Sequence, residues 1–470
     1  MVTYIGSEIK LYGTKRTARY SHLETGKRGF TLPSQYTPHV GAGRIDTVYP
    51  FWEKRRQAIF QGRDTPFIGR ESRFIKMKMI MENFETTLPA RPRRVEQEKK
   101  PISEEIEKLR ETWATLKVAW EAKGFEGNPL QEPSPEMAQM EGVLSKYVIE
   151  LLNSDTGDAE QLYEEARKLK VLYDREKIYQ RAAVHVTNVC RANCLCCPMR
   201  RDNLKKETIR RATVDEIVGA AEKSYEAGYR DIFIQGGEDI QIVPVVAEAI
   251  RRIAQKYSDV EFTLNLGSLS EQQFKSLYDA GARKYVIKYE TATPKLHETL
   301  RQDTLQNRVQ GMLRAKGVGF EIGSGNILGI PEQTDQDLAN DIIFLGRAGI
   351  KDMISSTPYT SSEVLPEPYR SQPAADWEKM KRFVAVLRLL FPDAHIHAPS
   401  NADSDKIDRR DTSVSGQTEL LKAGADEISV EFTPSRVAEF YGLYDEASKR
   451  NVITITKAKI VKQESEDKTS

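Results

Sequence analysis

The stretch Thr187-Asn188-Val189-Cys190-Arg191-Ala192-Asn193-Cys194-Leu195-Cys196-Cys197-Pro198 holds all four cysteines of a 470-residue chain. Thiol chemistry is therefore confined to one loop. Cys190, Cys194 and Cys197 follow the order Cys-x3-Cys-x2-Cys. That spacing lets a loop wrap one iron–sulfur cluster with three thiolates. A 4Fe–4S cube has four irons, so one iron keeps no protein ligand and is open to another molecule. A structural zinc site needs four ligands in tetrahedral array. No second Cys or His pair lies nearby, and His185 stands inside the preceding β-like run. Cys196 sits beside Cys197, cannot easily reach the same cluster, and reads as a small packing residue. Clustered cysteines without dispersed partners indicate a reducing interior rather than a disulfide framework.

Outward from this loop the chain becomes regular. Short β-like runs fall at 184–187, 231–235, 262–266, 285–289, 321–328, 353–356, 395–397 and 428–432. Amphipathic stretches lie between most of them, at 213–227, 270–280 and 334–348, ending at Gly228, Gly281 and Gly349. Eight β-then-α units in series predict an α/β fold, a (β/α)8 TIM-type barrel. A Rossmann-type open sheet would need fewer units and no closure. Barrel active sites sit at the C-terminal strand ends. Cys190 comes three residues after the first run, which puts the cysteine loop at that mouth.

The expected organisation is an N-terminal extension over 1–130, mixed or irregular plus helical. A helical lead-in over 131–180, the barrel over 181–455 and a disordered polar tail over 456–470 follow it. In the extension, 72–82 alternates like a strand and 89–94 reads as a linker. A helix opens near Pro101 with Ser103 as N-cap and runs to about Lys123. Two more are expected over 136–152 and 159–173, the second capped by Asp158. Hydrophobic residues make up 39% and charged residues 30%, with net charge +1. That is a soluble globular balance with no electrostatic case for nucleic acid or a membrane surface. The first hundred residues carry roughly twice as many basic as acidic side chains. Lys54-Arg55-Arg56 there reads as solvated, with docking of a partner as the sharper alternative. No apolar run spans a bilayer and no signal peptide is evident, so a cytoplasmic location is expected.

With this cysteine spacing after the first strand of a βα barrel, the sequence resembles the radical S-adenosylmethionine (radical SAM) superfamily. The resemblance implies a 4Fe–4S cluster on Cys190, Cys194 and Cys197. Its open iron is chelated by the amino and carboxylate groups of SAM. One electron then cleaves the sulfonium to methionine and a 5′-deoxyadenosyl radical. Gly236-Gly237-Glu238, at the end of the second run, stands where the family contacts the SAM amino group. Glycines allow close backbone approach and Glu238 can accept from an ammonium.

The motifs Asn188-Val189-Cys190-Arg191, Arg200-Arg201-Asp202-Asn203, Tyr289-Glu290-Thr291-Ala292, Asn307-Arg308 and Gly329-Ile330-Pro331-Glu332 narrow the likeness to HydE-type maturases of FeFe-hydrogenases. Biotin synthase and methylornithine synthase belong to the same broader group. The resemblance implies that Glu290 binds SAM and that Arg308 pairs with its carboxylate, against the alternative of surface ion pairs. Lys288-Tyr289 stands where the maturase has Arg-His, and Cys196 where an aromatic is usual. Without further cysteines there is no second cysteine-ligated cluster, which speaks against sulfur insertion in the manner of biotin synthase.

Lys288 is the expected anion contact of a small substrate. Asn265, Ser324 and Tyr359 are further candidates, each also readable as a satisfied barrel-interior polar group. The implied partner is a one-electron donor such as a flavodoxin or ferredoxin. The expected activity is HydE-like SAM cleavage, with the radical acting on a small substrate inside the barrel. The alternatives are a methylornithine-synthase-like carbon-skeleton rearrangement, or an iron–sulfur assembly or carrier protein without catalysis.

Overall fold

Eight parallel strand segments close a ring. Six form one hydrogen-bonded sheet in the order Glu427–Glu431, Tyr179–Thr187, Asp231–Gly236, Glu261–Asn265, Lys284–Val286, Glu321–Gly323. Counted along the chain, these are strands eight, one, two, three, four and five. Strands six and seven are held by isolated parallel bridges: Ser324 to Ile354, Ile354 to Ile396, and His397 to Glu427. The register leaves Ala183 and passes Phe233, Thr263, Lys284 and Glu321. Carried across the bridges, it returns to the first strand at the level of Arg175, eight residues lower. That stagger is the one a closed eight-stranded barrel requires. The expected barrel is what the chain forms.

This computed structural model describes residues 2–5, 8–11, 102–409, 413–440 and 442. The chain divides into two units, Met1–Pro89 and Ala90–Ser470. In the first, Val2–Ile5 pairs antiparallel with Glu8–Leu11. The expected strand-like run at 72–82, the linker at 89–94, Lys54-Arg55-Arg56 and the tail at 456–470 lie outside the described residues.

Within the second unit, helix Ile102–Ala122 buries Ile102, Ile106, Leu109, Trp113, Leu116 and Trp120. Steps of four and three keep these on one face. The rings of Trp113 and Trp120 meet edge to face at 5.3 Å. Trp120 Nε1 donates to Glu141 at 2.8 Å, on helix Pro135–Leu152. Two capping expectations are corrected. Ser103 lies inside the first turn of its helix, not before it. The next lead-in helix is Thr156–Leu172, capped by Asp155 rather than Asp158, because Asp155 accepts from the backbone of Gly157 and Asp158.

The crossover helices begin where expected. Thr213, Ser270 and Thr334 form capping boxes with Glu216, Gln273 and Asp337. Each box satisfies two backbone N–H groups that the first turn leaves free. The run expected at 321–328 is interrupted: Glu321–Gly323 belongs to the ring, whereas Ile327–Leu328 pairs with Thr357–Pro358 at the mouth.

Candidate active site

The strand ends enclose a cavity of about 430 Å³. Cys190, Cys194 and Cys197 line it together with Gly236, Gly237, Glu238, Glu290 and Arg308. Residues from strands one, two and four are thus brought to one chamber with the loop that carries the thiols.

Local contacts fix that loop. The first strand shifts register between His185 and Thr187. Thr187 Oγ1 then accepts from the Val189 N–H at 3.1 Å and donates to Asp239 at 3.1 Å. The Arg191 N–H donates to Glu238 O at 3.0 Å, and the Glu238 N–H points at Cys190 Sγ at 3.3 Å. This crossing is why residue 237 is glycine: a Cβ there would stand 2.1 Å from Val189 O and 2.8 Å from Cys190 Cβ. Burial pushes the thiols of Cys190, Cys194 and Cys197 above the ordinary cysteine value. The thiolate forms therefore need positive charge beside them.

Next to the thiols lies a compact charge cluster. Glu238 Oε1 accepts from Arg301 at 2.9 Å and from Arg308 at 2.8 Å. Burial pushes the Glu238 carboxyl up, but the Arg308 and Arg301 guanidinium groups outweigh it and hold it below the usual carboxylate range. Arg308 is fixed further by donation from Nε to Lys288 O at 2.7 Å.

Glu290 sits at φ 67°, in the left-handed region that costs a side-chain-bearing residue strain. Its carboxylate is buried, and Oε2 has no hydrogen-bond partner among the described residues. Lys288 Nζ is 3.5 Å away. Burial raises this group too, and Lys288, Arg301 and Arg308 keep it ionised.

The backbone around Glu290 is clamped from behind. His297 Nδ1 is 2.7 Å from Tyr289 O. Asp341, fully buried on helix Asp335–Arg347, accepts from the Ala292 N–H at 2.6 Å and from Asn326 Nδ2 at 2.8 Å. Tyr289 Oη donates to Asp341 O at 2.9 Å. Burial drives the His297 imidazole down to about 4, helped by the cations Arg301 and Arg308.

The substrate candidates separate. Lys288, Asn265 and Tyr359 line the cavity. Lys288 Nζ donates to Thr357 Oγ1 at 2.7 Å. The Tyr359 hydroxyl is taken up by donation to Tyr369 O. Ser324 is corrected: it does not line the cavity, is fully buried, and donates to Ile287 O at 2.7 Å, tying strand five to strand four. Cys196 also reaches the cavity edge and packs against a cluster containing Leu296, Leu300, Tyr359 and Tyr369, as its packing reading expects.

Arg301 was not foreseen. It ends helix Pro294–Arg301, lines the cavity, and leaves Nε buried without a hydrogen-bond partner among the described residues. A basic residue in a last helical turn reads as dipole compensation, so nothing in the sequence singled it out.

The comparisons bear on this geometry. Residues 184–345 match the model of the radical SAM superfamily. The FeFe hydrogenase maturase subunit HydE of Thermotoga maritima is 34% identical over 294 residues, covering 62% of this chain and 80% of that protein. The chain belongs to the radical SAM superfamily.

Within that superfamily it is a HydE-like enzyme. A biotin synthase from Anaeromyxobacter sp. (strain K) is 28% identical over 222 residues, spanning 46% of this chain and 57% of that protein. The crystal structure of methylornithine synthase (PylB) shares the fold, with TM-score 0.55 at 18% identity over 67% of this chain and 92% of that one. Radical SAM enzymes use a 4Fe–4S cluster and SAM, act on small substrates and take electrons from reductants. The residues present suit those groups: three cysteines on one chamber, a glycine on which a Cβ would collide with the cysteine loop, and a buried carboxylate oxygen without a hydrogen bond among the described residues. Among the described residues no three His, Cys, Asp or Glu side chains converge as on a single metal ion. A cluster spreads its thiolates over separate irons and needs no such convergence. No described helix is long and apolar enough to cross a membrane.

Proposed function

We propose that Cys190, Cys194 and Cys197 hold the cluster and that Gly236, Gly237, Glu238, Glu290, Arg301 and Arg308 form the SAM bay. When bound, cluster and SAM supply one-electron cleavage of the sulfonium and a 5′-deoxyadenosyl radical. The chain's own part is to hold and orient. Glu238 and Glu290 are ionised acceptors for an ammonium, and Arg308 and Arg301 are donors for a carboxylate. In the free protein these groups neutralise one another, so SAM exchanges internal partners for its own zwitterion.

The single observation that carries this reading is the buried Oε2 of Glu290. Among the described residues it accepts no hydrogen bond and has only the Lys288 ammonium 3.5 Å away, on a strained backbone in the chamber that the cysteines line. A buried carboxylate oxygen without a hydrogen bond costs free energy that a ligand N–H would recover. Lys288, with Thr357, is the proposed anion contact of the small substrate, and Asn265 and Tyr359 shape its space.

Across the cavity, Ser429 Oγ and Asn401 Oδ1 are buried without hydrogen-bond partners among the described residues. They are the proposed contacts for a second polar group of that substrate. The test is anaerobic reconstitution, reduction and addition of SAM, scoring 5′-deoxyadenosine. Absence of that product from an intact reduced cluster sinks the reading and favours a carrier protein. Product assay against hydrogenase maturation then separates the maturase reaction from a carbon-skeleton rearrangement.

A further inference from the structure

The reaction consumes one electron, and with all four cysteines in a single loop the chain has no second cysteine-ligated centre to pass it inward. The electron has to enter from a partner seated on the surface over that loop.

One segment is strapped to the loop at both ends. Ala192 O accepts from the Arg201 N–H at 2.9 Å, Cys197 O from the Arg200 N–H at 3.1 Å, and Asn193 Oδ1 from Arg200 Nε at 2.9 Å. At the other end Asn188 accepts from the Arg210 N–H at 2.8 Å and donates to Thr208 O at 2.7 Å. Between these anchors Lys205 and Lys206 are exposed, and neither forms an ion pair among the described residues. The Arg210 guanidinium donates to the backbone carbonyls of Glu207 and Ile209 and lies 4.1 Å from the Phe440 ring centre, with no carboxylate partner among the described residues. Asp202 is already neutralised by Arg200 and Arg201, each at 3.3 Å. Three uncompensated cations remain against the carboxylate of Glu207.

We propose that this strap, residues 200–211, is the electron-entry face and receives an acidic protein that carries a one-electron centre. The proposal rests on the site reading above. Complementary charge speeds such an encounter and is screened by salt. Nucleic acid is the other polyanion, but its single strands bind by stacking on exposed aromatic faces. The strap carries no aromatic side chain, and the neighbouring Phe440 ring is covered by Arg210. The transfer oxidises the donor by one electron, reduces the cluster by one, and makes or breaks no bond.

The experiment uses the full chain, reconstituted anaerobically, and follows cluster reduction by stopped flow. The acidic probe is flavodoxin hydroquinone; reduced methyl viologen is a small cationic control. The flavodoxin rate should fall with rising salt in the unmodified protein. It should drop about tenfold in Lys205→Glu/Lys206→Glu, with Lys205→Gln/Lys206→Gln in between. Viologen rates should not fall. A flavodoxin rate indifferent to salt, or equal in both variants to the unmodified protein, overturns the proposal. So does binding of single-stranded RNA through the same lysines with flavodoxin reduction unchanged. If the variants lose their cluster, the salt series on the unmodified chain still decides. Failure of the parent reading looks different: viologen and SAM then give no 5′-deoxyadenosine from the unmodified protein.

Discussion

The ends of strands one, two and four hold their charges mostly in mutual pairs, Glu238 with Arg301 and Arg308, and Lys288 with Glu290. Across the cavity, strand eight and the turn after strand seven leave Ser429 Oγ and Asn401 Oδ1 buried without hydrogen-bond partners among the described residues. On the proposed reading, the first side is a bay whose counter-ions are already in place and would be exchanged when a zwitterion enters. The second waits for hydrogen-bonding groups that the protein does not supply. On the proposed reading, preassembled charge belongs to the SAM side and open hydrogen-bonding capacity to the side of the small substrate.

The sharpest way to break this division is to remove the loop that anchors the first side. Cys197→Ser is expected to abolish cluster assembly and 5′-deoxyadenosine formation, checked by iron and sulfide content and by product assay. Glu290→Gln comes next. Losing a buried charge-assisted contact should weaken SAM binding about 10- to 100-fold, read by titration of the reconstituted protein. Ser429→Ala should leave that affinity within about twofold and instead loosen the coupling of SAM cleavage to product formation. Equal loss of SAM affinity in both variants would erase the distinction between the two sides.

The smallest expected effect concerns the clamp behind Glu290. His297 is held neutral, with its folded value near 4 against an ordinary 6.5. The unfolded chain therefore takes up a proton that the folded chain refuses. Stability is full above about pH 6.5 and declines as pH falls toward 4, by at most roughly 3 kcal/mol. Denaturation at a series of pH values should show this acid-side slope flatten in His297→Gln.

Much of the first side was legible because it is written in short motifs. Three cysteines, Gly236-Gly237-Glu238 and Glu290 each stand at a strand end, and strand ends could be placed from the alternation of apolar runs with capped helices. Arg301 was not, since its partner Glu238 lies 63 residues away in the sequence. Ser324 misled for a geometric reason. Its position in a strand was right, but the side it faces depends on a register that the break before Ile327 disturbs. Strands six and seven are single bridges rather than ladders, too short for alternation to reveal which residues point inward. The opposite side could therefore be located but not resolved into individual contacts.

Asp341 gives the helix Asp335–Arg347 a reach beyond its own place in the ring. Its one carboxylate bonds the backbone after Glu290 and the side chain of Asn326, and so ties the outer helix to the proposed SAM bay. Amide protons of that helix are therefore expected reporters of occupancy, and their exchange with solvent should slow as the bay fills.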